Sequence, residues 1–112
     1  MTDNTALITA YANDVGYDAI FLQQLRNLIE KDDILIAISG SGNSKNVIRA
    51  VKYSKKIGAT VIAFTGFEKG GELATIADIS IIPKTSHYGP IEDTHMMVGH
   101  LIASCIAHLK LS

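Results

Sequence analysis

The apolar positions of the chain alternate between two spacings, and each change marks a new element. Between Gly16 and Glu30 they fall at Ile20, Phe21, Leu25 and Ile29, with Leu28 beside them, which is the spacing of one buried helical face. Lys31, Asp32 and Asp33 break that pattern. Ile34 to Ser39, ILIAIS, is an unbroken apolar run rich in β-branched residues. It predicts a strand covered on both faces, as in a parallel sheet. Val47, Ile48, Val51 and Ile57 then return to helical spacing, with Lys45, Arg49, Lys52, Lys55 and Lys56 on the outer face. This helix begins at Ser44 and is stopped by Gly58.

The alternation continues to the end of the chain. Thr60 to Gly66, TVIAFTG, predicts a second buried strand, GGELATIAD a short helix, and Ile79 to Pro83, ISIIP, a third strand closed by its proline. The polar loop KTSHYGP leads into a last helix from about Pro90 to Leu109, with Pro90 suited to the first turn. Strands alternating with helices predict an α/β fold, a three-layer doubly wound parallel sheet with right-handed crossovers. Three strands give the apolar run Ile34–Ser39 too few neighbours, so the sheet is expected to be incomplete at its N-terminal edge.

A length of 112 residues, 47% of them hydrophobic and 19% charged, fits one domain with a packed core. The formal charge of -1 comes from 10 basic and 11 acidic residues mixed along the chain. No basic tract offers the phosphate-neutralising footprint of a nucleic-acid binder, so no direct nucleic-acid ligand is expected. Cys105 is the single cysteine, which excludes an intrachain disulfide, and MTDNTALITAYAND lacks the layout of a signal peptide. A cytoplasmic location is expected. No apolar run approaches the roughly 20 residues that cross a bilayer, so a membrane is not an expected partner.

Chemistry concentrates at SGSGNS, Ser39 to Ser44, which leaves the first strand at the end where open parallel sheets keep their ligand crevice. A helix starting there points backbone N–H groups and a partial positive charge into the crevice. The hydroxyls of Ser39, Ser41 and Ser44 add donors for a phosphate, and Gly40 and Gly42 permit close backbone approach. The plainer alternative is that Ser44 or Asn43 caps the helix while the glycines turn the chain, and the residues alone leave both open. No Gly-Lys-Ser/Thr follows and the third glycine of the dinucleotide fingerprint is missing, which points to phosphate without a nucleotide.

On the last helix, at about 100° per residue, Glu92, His95 and His100 share one arc. They suit a divalent metal or proton transfer, or form an ordinary polar face. Gly99 lies nearly on the Glu92 line and leaves room for a close approach. Ile91, Val98, Ile102, Cys105 and Leu109 form a different, core-facing stripe, with Cys105 as a small core residue. Met96 and Met97 suit helix packing, including packing across a subunit boundary. His87 stands within reach of the crevice, and His108 belongs to the surface.

Residues 32–83, DDILIAISGSGNSKNVIRAVKYSKKIGATVIAFTGFEKGGELATIADISIIP, resemble the sugar isomerase (SIS) domain and, within it, the phosphoheptose isomerase branch, whose typical turn is Ser-Thr-Ser-Gly-Asn-Ser. TALITAYANDVGYDAIF is similar to the segment before that turn. PIEDTHMMVGH resembles the branch's Arg-Ile-Gln-Glu-x-His-x-x-x-x-His, with Glu92 at the glutamine. The resemblance implies a flavodoxin-like SIS fold, a homotetramer with sites between subunits, and isomerisation of a ketose phosphate such as sedoheptulose 7-phosphate. It implies that Ser39, Ser41 and Ser44, with the backbone around Gly42, hold the substrate phosphate. Asn13 and Asp14 match an Asn-Asp pair whose aspartate lies near the sugar hydroxyls. His100 becomes the catalytic acid/base with Glu92 beside it, and the two are candidate ligands for zinc, although no cofactor is required for the fold. Thr65 and Gly66 stand beside the crevice on topology alone.

Departures from the branch are Pro90 for its arginine, Gly89 for the acidic residue before it, and Gly40 for the threonine of the turn, which implies a changed sugar specificity. The branch's N-terminal strands, its Gly-Asn-Gly-Gly-Ser-Ala turn and the glutamate opposite the histidine have no counterpart in residues 1–112. The chain is therefore expected to be a partial SIS phosphosugar-binding domain, inactive by itself. The alternatives are a non-catalytic SIS module that binds a sugar phosphate or a protein partner, as replication-initiator-associated relatives do, and a structural remnant without ligand.

Overall fold

Residues 5–14 and 16–111 are described by a computed structural model in which three parallel strands organise the chain. Strands β1 (Ile34–Ile38), β2 (Thr60–Phe64) and β3 (Ile79–Ile81) lie in the order β1-β2-β3. Ile34 pairs with Thr60 through to Ile38 with Phe64, and Ile62 pairs with Ile79 through to Phe64 with Ile81. The helices are α1 (Thr5–Asp14), α2 (Ile20–Leu25), α3 (Lys45–Ile57), α4 (Gly71–Ile76) and α5 (Tyr88–Leu111), with a single 3-10 turn at Tyr17–Ala19. The α/β class, the parallel sheet and the flanking helices are those expected.

Side chains of period two divide the sheet's faces. Ala37, Val61 and Ala63 join Val51 of α3 and Leu73 of α4 in the core, with Leu35, Val47 and Ile76 packed around them. Three ion pairs extend from the outer side of α3: Arg49 to Asp18, Lys52 to Glu72 and Lys55 to Asp78. Gly58 closes the helix at φ 102, its N–H bonded to the carbonyls of Ser54 and Lys55. A side chain at that left-handed position would be strained, which is why glycine ends the helix.

The opposite face is covered only in part. Ile91 and His95 of α5 are buried, and the His95 ring lies 5.6 Å from that of Phe64. A Cβ at Gly66 would run into the Ile91 side chain, so the glycine gives α5 a flat seat on the end of β2. Ile34, Ile36 and Ile38 are left 67%, 45% and 58% exposed. The strand expected to be covered on both faces is thus covered on one, because β1 is the sheet edge and α5 is seated over β2.

Three other expectations are corrected. The helix foreseen over Gly16–Glu30 is shorter and is preceded by α1; Gly16, at φ 123, separates the two, and Asp33 turns the chain at the far end by accepting the Glu30 N–H at 2.8 Å. Each strand stops one or two residues early. The core-facing stripe of α5 holds only at its start: Ile91 is buried and Val98 and Ile102 are half-buried, but Cys105 and Leu109 are exposed. The reason is length. The 24 residues of α5 span about 36 Å, whereas a five-residue strand covers about 17 Å. The helix outruns the sheet. Among the described residues no helix is long and apolar enough to cross a membrane.

Candidate functional site

The turn between β1 and α3 is shaped by its contacts with the turn before α4. The Gly42 carbonyl accepts the Leu73 N–H at 2.9 Å, and Asn43 Oδ1 accepts the Glu72 N–H at 3.0 Å. Gly42 has φ 69, and a Cβ there would run into the Gly70 carbonyl; one at Gly71 would meet the Ser41 carbonyl at 2.5 Å. Two glycine corners dovetail where no side chain fits. Asn43 therefore satisfies a donor at the start of α4 rather than capping its own helix.

The serine hydroxyls are not drawn into that dovetail. Ser44 sits at the N-cap of α3 but makes no side-chain capping bond. Its Oγ pairs with Ser39 Oγ at 3.1 Å, and Ser39 Oγ also accepts the Gly42 N–H at 3.2 Å. Ser41 Oγ accepts the Asn43 N–H at 3.2 Å. Two hydroxyls joined to each other at the positive end of a 13-residue helix can reorient their protons toward an anion. The plainer capping alternative fails for Ser44.

The start of α5 closes over the middle of this turn. A Cβ at Gly40 would lie 3.0 and 3.3 Å from the Tyr88 ring carbons. The Tyr88 ring in turn meets Phe67 edge-on, 4.8 Å between centroids at 82°. Phe67 and the following Glu68 hold left-handed backbone, φ 53 and 64, in the loop leaving β2. Neither aromatic was singled out by periodicity. An aromatic alone in the polar run FEKGG, and another at the head of a helix, were the available signals.

Farther along α5, a groove of about 460 Å³ runs between the helix and the bare sheet face. Ile36, Ile38 and Phe64 floor it, and Glu92 and His100 line it and are exposed. His95 lines the same groove but is itself buried, and its Nε2 donates to the Thr65 carbonyl at 2.6 Å. Gly99 also lines the groove, and a Cβ built there would face open space, so the room foreseen at this position is present and no described element fills it. Thr65 and Gly66 are buried beneath α5 and the Gly70 corner rather than lining the crevice, and Thr65 Oγ1 is buried without a hydrogen-bond partner. Asn13 is exposed in the last turn of α1, which packs on α2 and the 3-10 turn. The side chain of Asp14 lies outside the described residues. His87 and His108 are exposed.

A metal finds an incomplete donor set. Glu92 and His100 offer two ligands where zinc takes four, and among the described residues no group of three or more His, Cys, Asp or Glu side chains converges. The residues present do not form a zinc site by themselves.

Comparison with known proteins bears on the fold and the family. The model of the SIS domain family matches residues 1–66. The phosphoheptose isomerase of Sulfurimonas denitrificans is 41% identical over 106 residues, covering 95% of this chain and 54% of that protein. The probable phosphoheptose isomerase of Thermoplasma acidophilum is 42% identical over 106 residues, covering 95% and 58%. The solved phosphoheptose isomerase of Neisseria gonorrhoeae superposes with a TM-score of 0.90 at 37% identity, over 94% of this chain and 59% of that one. The chain thus spans little more than half the length of these relatives. With the serine turn, the parallel sheet and the family model in agreement, the chain belongs to the SIS domain family, among relatives that carry the name phosphoheptose isomerase.

Proposed function

We propose that this chain is the phosphate-holding half of a phosphosugar isomerase of the phosphoheptose type, acting on a ketose phosphate such as sedoheptulose 7-phosphate in the cytoplasm. The observation that carries the reading is the serine turn. Ser39, Ser41 and Ser44 gather three hydroxyls at the start of α3, and the Ser44 hydroxyl is not used to cap that helix. Phosphate offers acceptors to each hydroxyl and to the N–H groups of the helix end.

The reaction moves a proton between adjacent carbons. A base removes it from the carbon next to the ketose carbonyl, an enediol forms, and the proton returns to the former carbonyl carbon while the oxygens exchange theirs. His100, with Glu92 on the same groove, supplies one acid/base side of that exchange. The opposing group would come from the part of the relatives that this chain does not span, through another polypeptide or segment. The working form is a homo-oligomer, a tetramer in this reading.

Calorimetric titration of sedoheptulose 7-phosphate into the chain tests this. Binding without turnover is expected, with Ser44→Ala weakening it about tenfold, as loss of a charge-assisted hydrogen bond would. Turnover should arise when the remaining half is supplied, and His100→Ala should then lower kcat by a factor of about 100 or more. Absence of any binding overturns the reading.

A further inference from the structure

The ring pair at the head of α5 has no role in the core and none yet in the proposed chemistry. We propose that Tyr88, braced by Phe67, is the wall of the crevice that contacts the carbon chain of the sugar phosphate and so selects among sugars; this rests on the phosphate reading of the serine turn. Tyr88 stands on Gly40, between the two serines that flank it, with ring carbons where a side chain at position 40 would begin. The ring is therefore a direct neighbour of the place assigned to the phosphate. It is also 58% exposed, so most of its surface stays open to a ligand.

Its position on the helix supplies the direction. Tyr88 and Glu92 are four residues apart and share a helix face. A sugar held by its phosphate at Ser39–Ser44 and reaching toward Glu92 and His100 must run past Tyr88. Its C–H groups, lying between the hydroxyls, would then meet an aromatic face of negative quadrupole, a weak attraction added to the burial of apolar surface.

Phe67 fixes the ring. Its edge-on contact restrains Tyr88 from the β2 side. That contact is kept although Phe67 and Glu68 both occupy left-handed backbone, where non-glycine residues are uncommon. The surrounding structure holds an unfavourable loop in the shape that presents the Phe67 ring to Tyr88.

Two probes separate this wall from the phosphate cradle: inorganic phosphate, which reaches only the serines, and sedoheptulose 7-phosphate, which reaches both. Each is titrated by calorimetry into the unaltered chain, Tyr88→Ala and Tyr88→Phe. The expected result is that Tyr88→Ala binds inorganic phosphate as the unaltered chain does but the sugar phosphate about tenfold more weakly. Tyr88→Phe, which keeps the ring, retains both affinities. Equal loss of both ligands in Tyr88→Ala would make the ring a mere support of the turn and overturn the proposal. Unchanged sugar affinity in that variant, or its loss in Tyr88→Phe, overturns it while the phosphate reading stands. Failure of the unaltered chain to bind either ligand removes both.

Discussion

The imidazole of His95 holds one end of α5 in place. Its Nε2 lies 2.6 Å from the Thr65 carbonyl oxygen, and because a carbonyl only accepts, the proton sits on Nε2. His95→Ala would leave that carbonyl without its donor and a void beside Phe64. It is expected to destabilise the fold by about 2–3 kcal/mol, read as a lower urea midpoint at constant slope. His95→Gln, which can donate from its amide, should recover part of the loss. Helical spacing grouped His95 with Glu92 and His100, and the three do line one groove; the burial of His95 within it was not legible, since α5 carries apolar residues all round. The serine turn was legible as a strand-to-helix turn, because glycines and hydroxyls follow directly on an apolar run, while the residues alone left phosphate binding and plain capping both open. Its dovetail with Gly70 and Gly71 was not, since it joins two loops about 30 residues apart through backbone contacts that leave no pattern of side chains.

Among the elements, α3 was the most legible. Its apolar stripe, basic outer face and terminal glycine agree with one another, and it runs from Lys45 to Ile57 as the sequence implied. The link from its end to the sheet depends on Asp78. That carboxylate accepts the Val61 N–H at 2.8 Å and Lys55 Nζ at 3.2 Å. The amide bond first, and the lysine second, hold its pKa below the usual carboxylate value. The charged form is thus favoured by folding. Its stabilisation is fully present above the ordinary value of about 3.9 and is lost as pH falls through the folded one. Melting temperatures of the unaltered chain and Asp78→Asn should differ at pH 7 and converge as acid protonates the Asp78 carboxylate. A gap independent of pH would remove the ionic part of this account. Short α1 escaped notice because its apolar residues form no single stripe, and the overrun of α5 escaped because helical spacing carries no record of where its support ends.

Among the described residues the sheet is fully covered on one side only. Core residues of β1, β2, α3 and α4 close against one another, whereas Ile34, Ile36 and Ile38 and, on α5, Met96, Met97, Leu101, Ile106 and Leu109 remain exposed. Apolar area on that scale is expected of a surface that another chain or segment covers. Light scattering at about 50 μM should report more than one chain per particle, and Leu101→Glu with Leu109→Glu should lower the mass; a monodisperse monomer of the unaltered chain would refute this. Beside β1, a second groove of about 550 Å³ lies between α2, the strand and α3, along an edge with no paired neighbour among the described residues. The segment ILIAI on that edge has no charge, proline or bulge to discourage pairing with another strand. Such an edge is a template for cross-β growth whenever two molecules meet in the wrong register. Covering β1, by another segment or another chain, would consequently guard against aggregation as well as extend the sheet.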